Sequence, residues 1–383
     1  MIAGRFSPSI GLVGVDFGTR SIKLLQLRQH GHQPQAVGAA SLDIQRTPST
    51  PEERASLTEQ LRGAFSVGGF TGRRCVVSLP RGDVRVQSVR LPKMPDEELR
   101  QAAVWEAAQR FGFERASMEV DVIRTGAEMH GSEDRQEVLL IAASHDTINA
   151  WIEPLLAAGL RPVAIETHFM AQARVFGQRE IPGMTPPVRA VVDVGASGST
   201  VMILRGDEIS FCKPIAFGGE QLDQAVAEHL QMERAAAREL RAARIAAASR
   251  GSSAQSITDS SIDRAVYNAV RPLFGSFAKE VMLCISYYGV AFRGHPPKEL
   301  ILTGGDGLEP RLPETLALQC QVSVVFDEDA SPICALTRSI QAILHRPSGP
   351  AAWWTVAAGL SLRGLSKRGL ARMRLPSSGR EAA

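Results

Sequence analysis

The sequence predicts an α/β protein of two lobes built on one plan. Three observations carry that reading. The 383 residues exceed one typical domain of about 100 to 200 residues. Strand-like and helix-like runs alternate along most of the chain. A glycine-bearing hairpin, LVGVDFGTRSIKLLQLR (12–28), returns as AVVDVGASGSTVMILR (190–205). At a constant offset of 177, Asp16 falls on Asp193, Gly18 on Gly195, Leu27 on Leu204 and Arg28 on Arg205. Turn, charge and strand length agree together, which an accidental Asp-x-Gly match would not produce.

In chain order, the first hairpin is followed by a third strand, AVGAASLDI (36–44), and by a helix opened by Pro48 to Pro51 and running through Phe65. The runs RRCVVSLP (73–80) and VRVQSVRLP (84–92) read as strands. A long helix then reaches about Phe111 from an N-cap at Asp96. Strands at 120–124 and 137–144, a helix at 146–158 stopped by Gly159, and a further element opening at VAIE (163–166) complete the first half. Ile181 to Pro187, rich in proline, is a linker.

After the second hairpin come a strand (208–216), a Gly218-Gly219 turn and a helix to Leu230. A helical Ala/Arg/Glu tract (233–248), a mobile polar loop (250–261) and a helix from about Val266 to Phe292 with Pro272 near its start follow. Strands KELILT (298–303) and QVSVVF (321–326) flank a helix at 312–319. The basic final stretch, 365–383, is expected to be a disordered tail.

Composition excludes several classes. With 43 basic and 40 acidic residues, the net charge of +3 supplies no chain-wide field for nucleic acid. Five cysteines, an odd number without a C-x-x-C pair, suggest neither a disulfide framework nor a zinc knuckle. No apolar run reaches the roughly 18 residues of a membrane helix, so a membrane role is expected to come through a partner.

Three strand-to-glycine turns are the candidate chemistry: Asp16-Phe17-Gly18-Thr19, Asp193-Val194-Gly195-Ala196-Ser197 and Thr303-Gly304-Gly305-Asp306. Glycine there lets the backbone approach a ligand closely and turn successive N–H groups toward an anion. Asp16 and Asp193, facing each other across a cleft, would suit Mg²⁺, which is commonly held by one or two carboxylates together with phosphate oxygens. Lys23 is placed to reach a phosphate. Each feature alone is equally a plain turn or a solvated strand residue, but neither G-x-x-x-x-G-K-[ST] nor G-x-G-x-x-G competes with them in this chain.

The ordered set VGVDFGTRSIK, AVVDVGASGSTVMIL and LILTGGDG resembles the phosphate-1, phosphate-2 and adenosine motifs of the actin, Hsp70 and sugar-kinase ATPase superfamily, whose fold is the actin-like, ribonuclease H-like two-lobe plan. Within it the chain is most similar to the PilM family of type IV pilus assembly, FtsA-like cytoplasmic proteins. RLPKMPDEELRQAAVWEAAQRF (90–111), IAFGGEQLDQAVAEHL (215–230) and TVAAGLSLRG (355–364) carry that similarity.

The resemblance implies a small α+β subdomain, 73–158, inserted into a first lobe of 10–72 that 159–187 and 350–364 complete, a second lobe of 188–349, and ATP and Mg²⁺ as ligands closing the two lobes. Asp16 and Asp193 would hold the metal through water. Gly18, Thr19, Arg20, Lys23, Gly195 and Ser197 would surround the phosphates. Gly218, Gly219, Arg238, Arg241, Gly304, Gly305 and Asp306 would border the nucleoside, and Glu166 would position water or else cap a hinge. The chain departs from the family at Arg238, where relatives carry an acidic ribose ligand, at Arg241, which replaces a lysine, and at Asp306, where small residues are common.

The implied function is a cytoplasmic scaffold, at most a slow ATPase, peripheral on the inner membrane. Its partner would be the N-terminal peptide of a PilN-like inner-membrane protein, seated between the first lobe and the inserted subdomain. Pilus motor or platform proteins and self-association are further partners the resemblance admits. The alternatives are a small-molecule kinase of the same superfamily and an FtsA- or MreB-like filament protein.

Overall fold

Alternating apolar residues make β1 (Ile10–Phe17) and β2 (Ser21–His30) an antiparallel pair whose register sets Asp16 opposite Lys23. A computed structural model of the protein describes residues 10–365, apart from 31–32, 45–46, 130–134, 178–184, 250–260, 293–294, 327–333 and 346–348. The loop expected at 250–261, except Ser261, the tail from 366, and 181–184 of the expected linker lie outside the described residues. β3 (Gln33–Asp43) extends the hairpin into a meander. Helix α1 (Pro51–Val67) follows, opened by a capping box in which Thr50 and Glu53 each accept from the other's backbone N–H.

β4 (Arg74–Ser78) returns parallel to β1, and the inserted subdomain leaves from its end. β5 (Arg85–Pro92), α2 (Asp96–Phe111), β6 (Met118–Met129) and β7 (Arg135–Ser144) build a separate sheet in the order β5-β7-β6. Leu99 and Ala103 of α2 pack with Val89, Leu91, Val138 and Leu140 of that sheet. Asp96 is the first helical residue and not the expected cap. Pro95 holds the cap position without a side-chain hydrogen bond, and the Asp96 carboxylate instead pairs with Arg124 of β6.

Helix α3 (His145–Ala157) leads back to β8 (Arg161–Glu166), which pairs with β4 at the sheet edge, and α4 (His168–Phe176) follows.

The second lobe repeats this order. β9 (Val188–Val194), β10 (Ser199–Arg205) and β11 (Glu208–Ile215) form the meander. Then come α5 (Gly219–Leu230), α6 (Arg234–Ser249) and α7 (Ser261–Ala291). β12 (Glu299–Thr303), α8 (Leu312–Cys320) and β13 (Ser323–Phe326) end the sheet. The two five-stranded sheets run β3-β2-β1-β4-β8 and β11-β10-β9-β12-β13, one topology used twice. Helix α7 begins five residues before the expected Val266, so Pro272 lies inside it; the missing N–H there removes one helical hydrogen bond.

Two closing helices, α9 (Cys334–Leu344) and α10 (Thr355–Leu362), return to the first lobe. Although α9 falls in the range expected for the second lobe, Leu336 and Ile340 join a core with Leu25, Leu27, Phe169 and Trp354, and Ser339 Oγ accepts from Ala36 N at 3.2 Å. The same core takes Val191, Met202 and Ile301 from the second sheet, so one apolar layer joins the lobes. Helix α10 lies against β1 at a glycine: a Cβ on Gly14 would overlap the carbonyl of Ala357. Trp354 is buried beneath it, and Trp353 remains partly exposed.

Candidate functional site

The ends of β1 and β9 bring the two glycine turns together. Thr19 Oγ1 and Ser197 Oγ are 2.9 Å apart across the lobes. Asp16 and Asp193, the last inward residues before each turn, are both buried and near enough for each charge to act on the other. Burial first, and then the charge of Asp193, pushes the Asp16 carboxyl up to about 6, with Lys23 and Arg81 opposing. Lys23 donates to Ser21 Oγ at 2.7 Å, and burial holds its ammonium below the usual lysine range against the pull of Asp16, Asp43 and Asp193.

Asp193 is held by protein groups. Arg81 Nη2 lies 2.5 Å from its Oδ2, and Gln172 Nε2 donates to the same oxygen at 2.7 Å. Arg81 also donates to Asp193 O at 3.3 Å and to Thr200 Oγ1 at 3.0 Å, and His168 Nε2 is 2.9 Å from that hydroxyl. Although burial opposes ionisation, Arg81, His168 and Gln172 hold the Asp193 carboxyl below its ordinary value. Arg81, in LPRGD at the mouth of the insertion, was not among the expected site residues. Its only sequence signal was a basic residue just past a buried strand.

The nucleoside side of the cleft is built from charges. Arg241, 1% exposed, donates to Gly219 O at 2.9 Å, pairs with Asp223, and lies 2.9 Å from Asp306 Oδ1 and from Glu309 Oε2. Arg244 continues the chain of charges to Glu309 Oε1 at 3.1 Å and Asp263 Oδ1 at 2.6 Å. Arg20, from the first lobe, reaches over to Asp223 Oδ2 at 2.6 Å and Asp306 Oδ2 at 3.4 Å. Gly304, at φ +90°, makes the turn that only glycine takes easily, and a Cβ there would strike the Asp193 carboxylate. Gly305 lies by Trp353, and Gly218 is packed on the carbonyls of Gly195 and Ala196.

Two expected site residues take no part in these two networks. Glu166 is buried and bound by Arg174 Nη2, 3.1 Å from each of its oxygens, and by Arg363 Nη1 at 2.5 Å. It ties β8 to α4 and to the end of α10, and it stands in register with Ser78, which pairs with Asp16, in the same row of strand ends. Arg238 is exposed on α6, because positions 237, 241 and 244 define that helix's buried face.

The residues present fit the phosphate-binding plan in outline and the remainder of ATP·Mg²⁺ poorly. Gly18 N donates to Ser21 O and Gly195 N to Gly198 O, both at 3.0 Å, so these two N–H groups close their own turns. Gly219 N and Glu220 N, at the start of α5, donate to Gly195 O and Ala196 O. Asp193 is already paired with the Arg81 guanidinium. The Asp306 carboxylate lies on Gly219 so closely that a Cβ there would overlap it. Among the described residues, no cluster of three or more His, Cys, Asp or Glu side chains is arranged to hold a metal.

Two sheets of one topology, joined so that the glycine turns of their first hairpins face each other, define the fold of the actin-like ATPases. A family model for the type IV pilus assembly protein PilM matches residues 14–365, and the chain belongs to that family. Among solved structures, the PilM-PilN type IV pilus biogenesis complex is similar at 22% identity and a TM-score of 0.69, over 93% of this chain and 99% of that one. The ethanolamine utilization protein EutJ from Carboxydothermus hydrogenoformans shares the fold at 15% identity and a TM-score of 0.51, over 92% of this chain and 90% of its own. A search of the curated proteins finds no match.

Proposed function

We propose that the chain is an actin-like scaffold of type IV pilus assembly that docks on the cytoplasmic N-terminal segment of a PilN-like inner-membrane protein. The observation that carries this reading is the family match, whose span of residues 14–365 takes in both lobes and the inserted subdomain. The likeness to the PilM-PilN complex structure supports the same partner. No helix among the described residues is long and apolar enough to cross a membrane, which fits recruitment to the inner membrane through such a partner.

The docking groove lies between the first lobe and the insertion. Edge strand β8 leaves Val163 and Ile165 36% and 40% exposed, and Ile165 is in register with Val77, next to the strand end from which the insertion departs. An extended peptide adding to a free strand edge gains backbone hydrogen bonds along it and specificity from alternate side chains. ATP is the ligand the superfamily plan implies for the cleft. Arg81, Arg241 and Asp306 are engaged in ion pairs within that cleft, so nucleotide is given no step in this function.

Calorimetric titration with the N-terminal peptide of the PilN-like protein tests the reading. Binding that Ile165→Asp weakens by about tenfold or more supports it, since an apolar anchor at the centre of an interface carries energy of that order. Absence of binding, or equal binding by the variant, overturns it.

A further inference from the structure

We propose that the ion network of Arg20, Asp223, Asp306, Arg241 and Glu309 replaces nucleotide as the element that holds the two lobes of this protein closed. Arg20 belongs to the first hairpin turn, whereas Asp223 lies on α5 and Asp306 follows β12, so its two ion pairs, at 2.6 and 3.4 Å, cross from one lobe to the other. These contacts span the cleft where a bound nucleotide would touch both lobes. Arg241 anchors the far end: it binds both of Arg20's partners and fixes Glu309, which is buried completely.

The network also excludes what it replaces. Burying carboxylates away from water demands compensating charge and hydrogen bonds, and Asp223, Asp306 and Glu309 each touch at least one guanidinium. An adenosine entering beside Gly219 would have to displace the Asp306 carboxylate and the Arg241 guanidinium, stranding the others. On the phosphate side, the 2.9 Å contact of Thr19 and Ser197 and the Arg81–Asp193 pair at 2.5 Å close the gap between the turns. A ligand shifts a conformational equilibrium only through its differential affinity for the two states. A cleft already closed by its own side chains leaves ATP little to gain.

The planar fork of Arg241 serves Asp223, Asp306 and Glu309 at once, which the point charge of a lysine could not do, and Asp306 gives Arg20 its second partner.

The test uses the full chain and ATP·Mg²⁺ as the probe, read by thermal unfolding and small-angle scattering. For wild type we expect about 5 mM ATP·Mg²⁺ to move Tm by less than about 1 °C, whereas a ligand at a hundredfold its Kd would move it by several degrees. The radius of gyration should stay unchanged. Arg20→Met, in a side chain 22% exposed and therefore tolerant of replacement, should open the lobes and raise the radius by about 1 Å above the roughly 21 Å of a compact chain of this length. Asp223→Asn, which keeps the shape and removes the charge, should open them as well and serves if the first variant fails to fold. A rise of several degrees for wild type with ATP·Mg²⁺, or an unchanged radius in the folded variants, overturns the proposal. Peptide docking is read separately, so a chain that binds both ATP and the PilN-type peptide loses this inference and keeps the scaffold reading.

Discussion

Replacing Arg241 by methionine is the sharpest perturbation of the cleft, because it keeps the buried stem and removes only the charged fork. The guanidinium pairs with Asp223, Asp306 and Glu309 and donates to Gly219 O. Without it, Asp223 and Asp306 share Arg20, and Glu309 retains only Arg244. Removing one partner of a buried ion pair costs about 3–5 kcal/mol, since the remaining charge stays desolvated. Arg20 and Arg244 soften that loss, so the lower end, about 3 kcal/mol, is expected.

The pH dependence of the Arg241→Met deficit separates charge from packing. With the fork gone, the three carboxylates repel one another in a buried space, and Glu309 loses one of the two guanidinium charges that oppose its upward shift. Glu309 is already pushed upward by burial, with Arg241 and Arg244 as the opposing charges. A carboxylate with a raised folded pKa contributes stability that is present below its unfolded pKa and lost as pH rises through the folded one. The deficit should therefore be smallest near pH 5 and largest near pH 8. Urea unfolding followed by circular dichroism at several pH values measures it. A loss below about 1 kcal/mol, or one equal at all pH values, would refute the charge network as a structural element.

Three further outcomes are expected. Asp16, raised from 3.8 to about 6, keeps its proton in the folded state between those values, and its stabilising contribution is lost as pH rises through about 6; His168, lowered from 6.5 to about 3 by burial and Arg81, stays neutral when folded, and its contribution is lost as pH falls from 6.5. The two slopes oppose, so Asp16→Asn should steepen the rise of stability with pH between about 4 and 6 by up to about 1.4 kcal/mol per pH unit, and His168→Gln should reverse its direction; parallel profiles would refute the pairing. Gly14→Ala, which drives a Cβ into the Ala357 carbonyl, should cost about 1–3 kcal/mol, and calorimetry showing no loss would place α10 elsewhere. Glu166→Gln should cost about 3 kcal/mol by stranding Arg174 and Arg363, whereas a loss of ATP hydrolysis at full stability would return Glu166 to a water-positioning role.

What could be read from the sequence was local. Alternation and the Asp-x-Gly turns mark both hairpins, since a strand with one buried face writes its register into the chain at period two. The parallel placement of β4 and β8, or of β12 and β13, depends on partners outside the hairpins and leaves no such mark. Helix α4 was missed for a physical reason: Phe169, Met170, Ala171, Gln172, Ala173, Val175 and Phe176 are all buried, so it shows no polar face to set its period. In the Ala/Arg/Glu tract, Arg238 and Arg241 look alike as letters, and only helical phase puts one in water and the other against three carboxylates.

The glycine turns teach a different lesson about motifs. Gly18 and Gly195 each close a hairpin with their own N–H, and Gly218 admits the carbonyls of Gly195 and Ala196 against the start of α5. The backbone thus has a use for these glycines that does not depend on a phosphate. Evidence for the ligand has to come from groups with no such second duty. In this chain those groups, Arg20, Arg81, Arg241 and Asp306, are engaged with one another and with Asp193, Asp223 and Glu309. The repeated hairpin identifies the fold, and the charges between its two copies are the place to test whether the cleft needs a nucleotide.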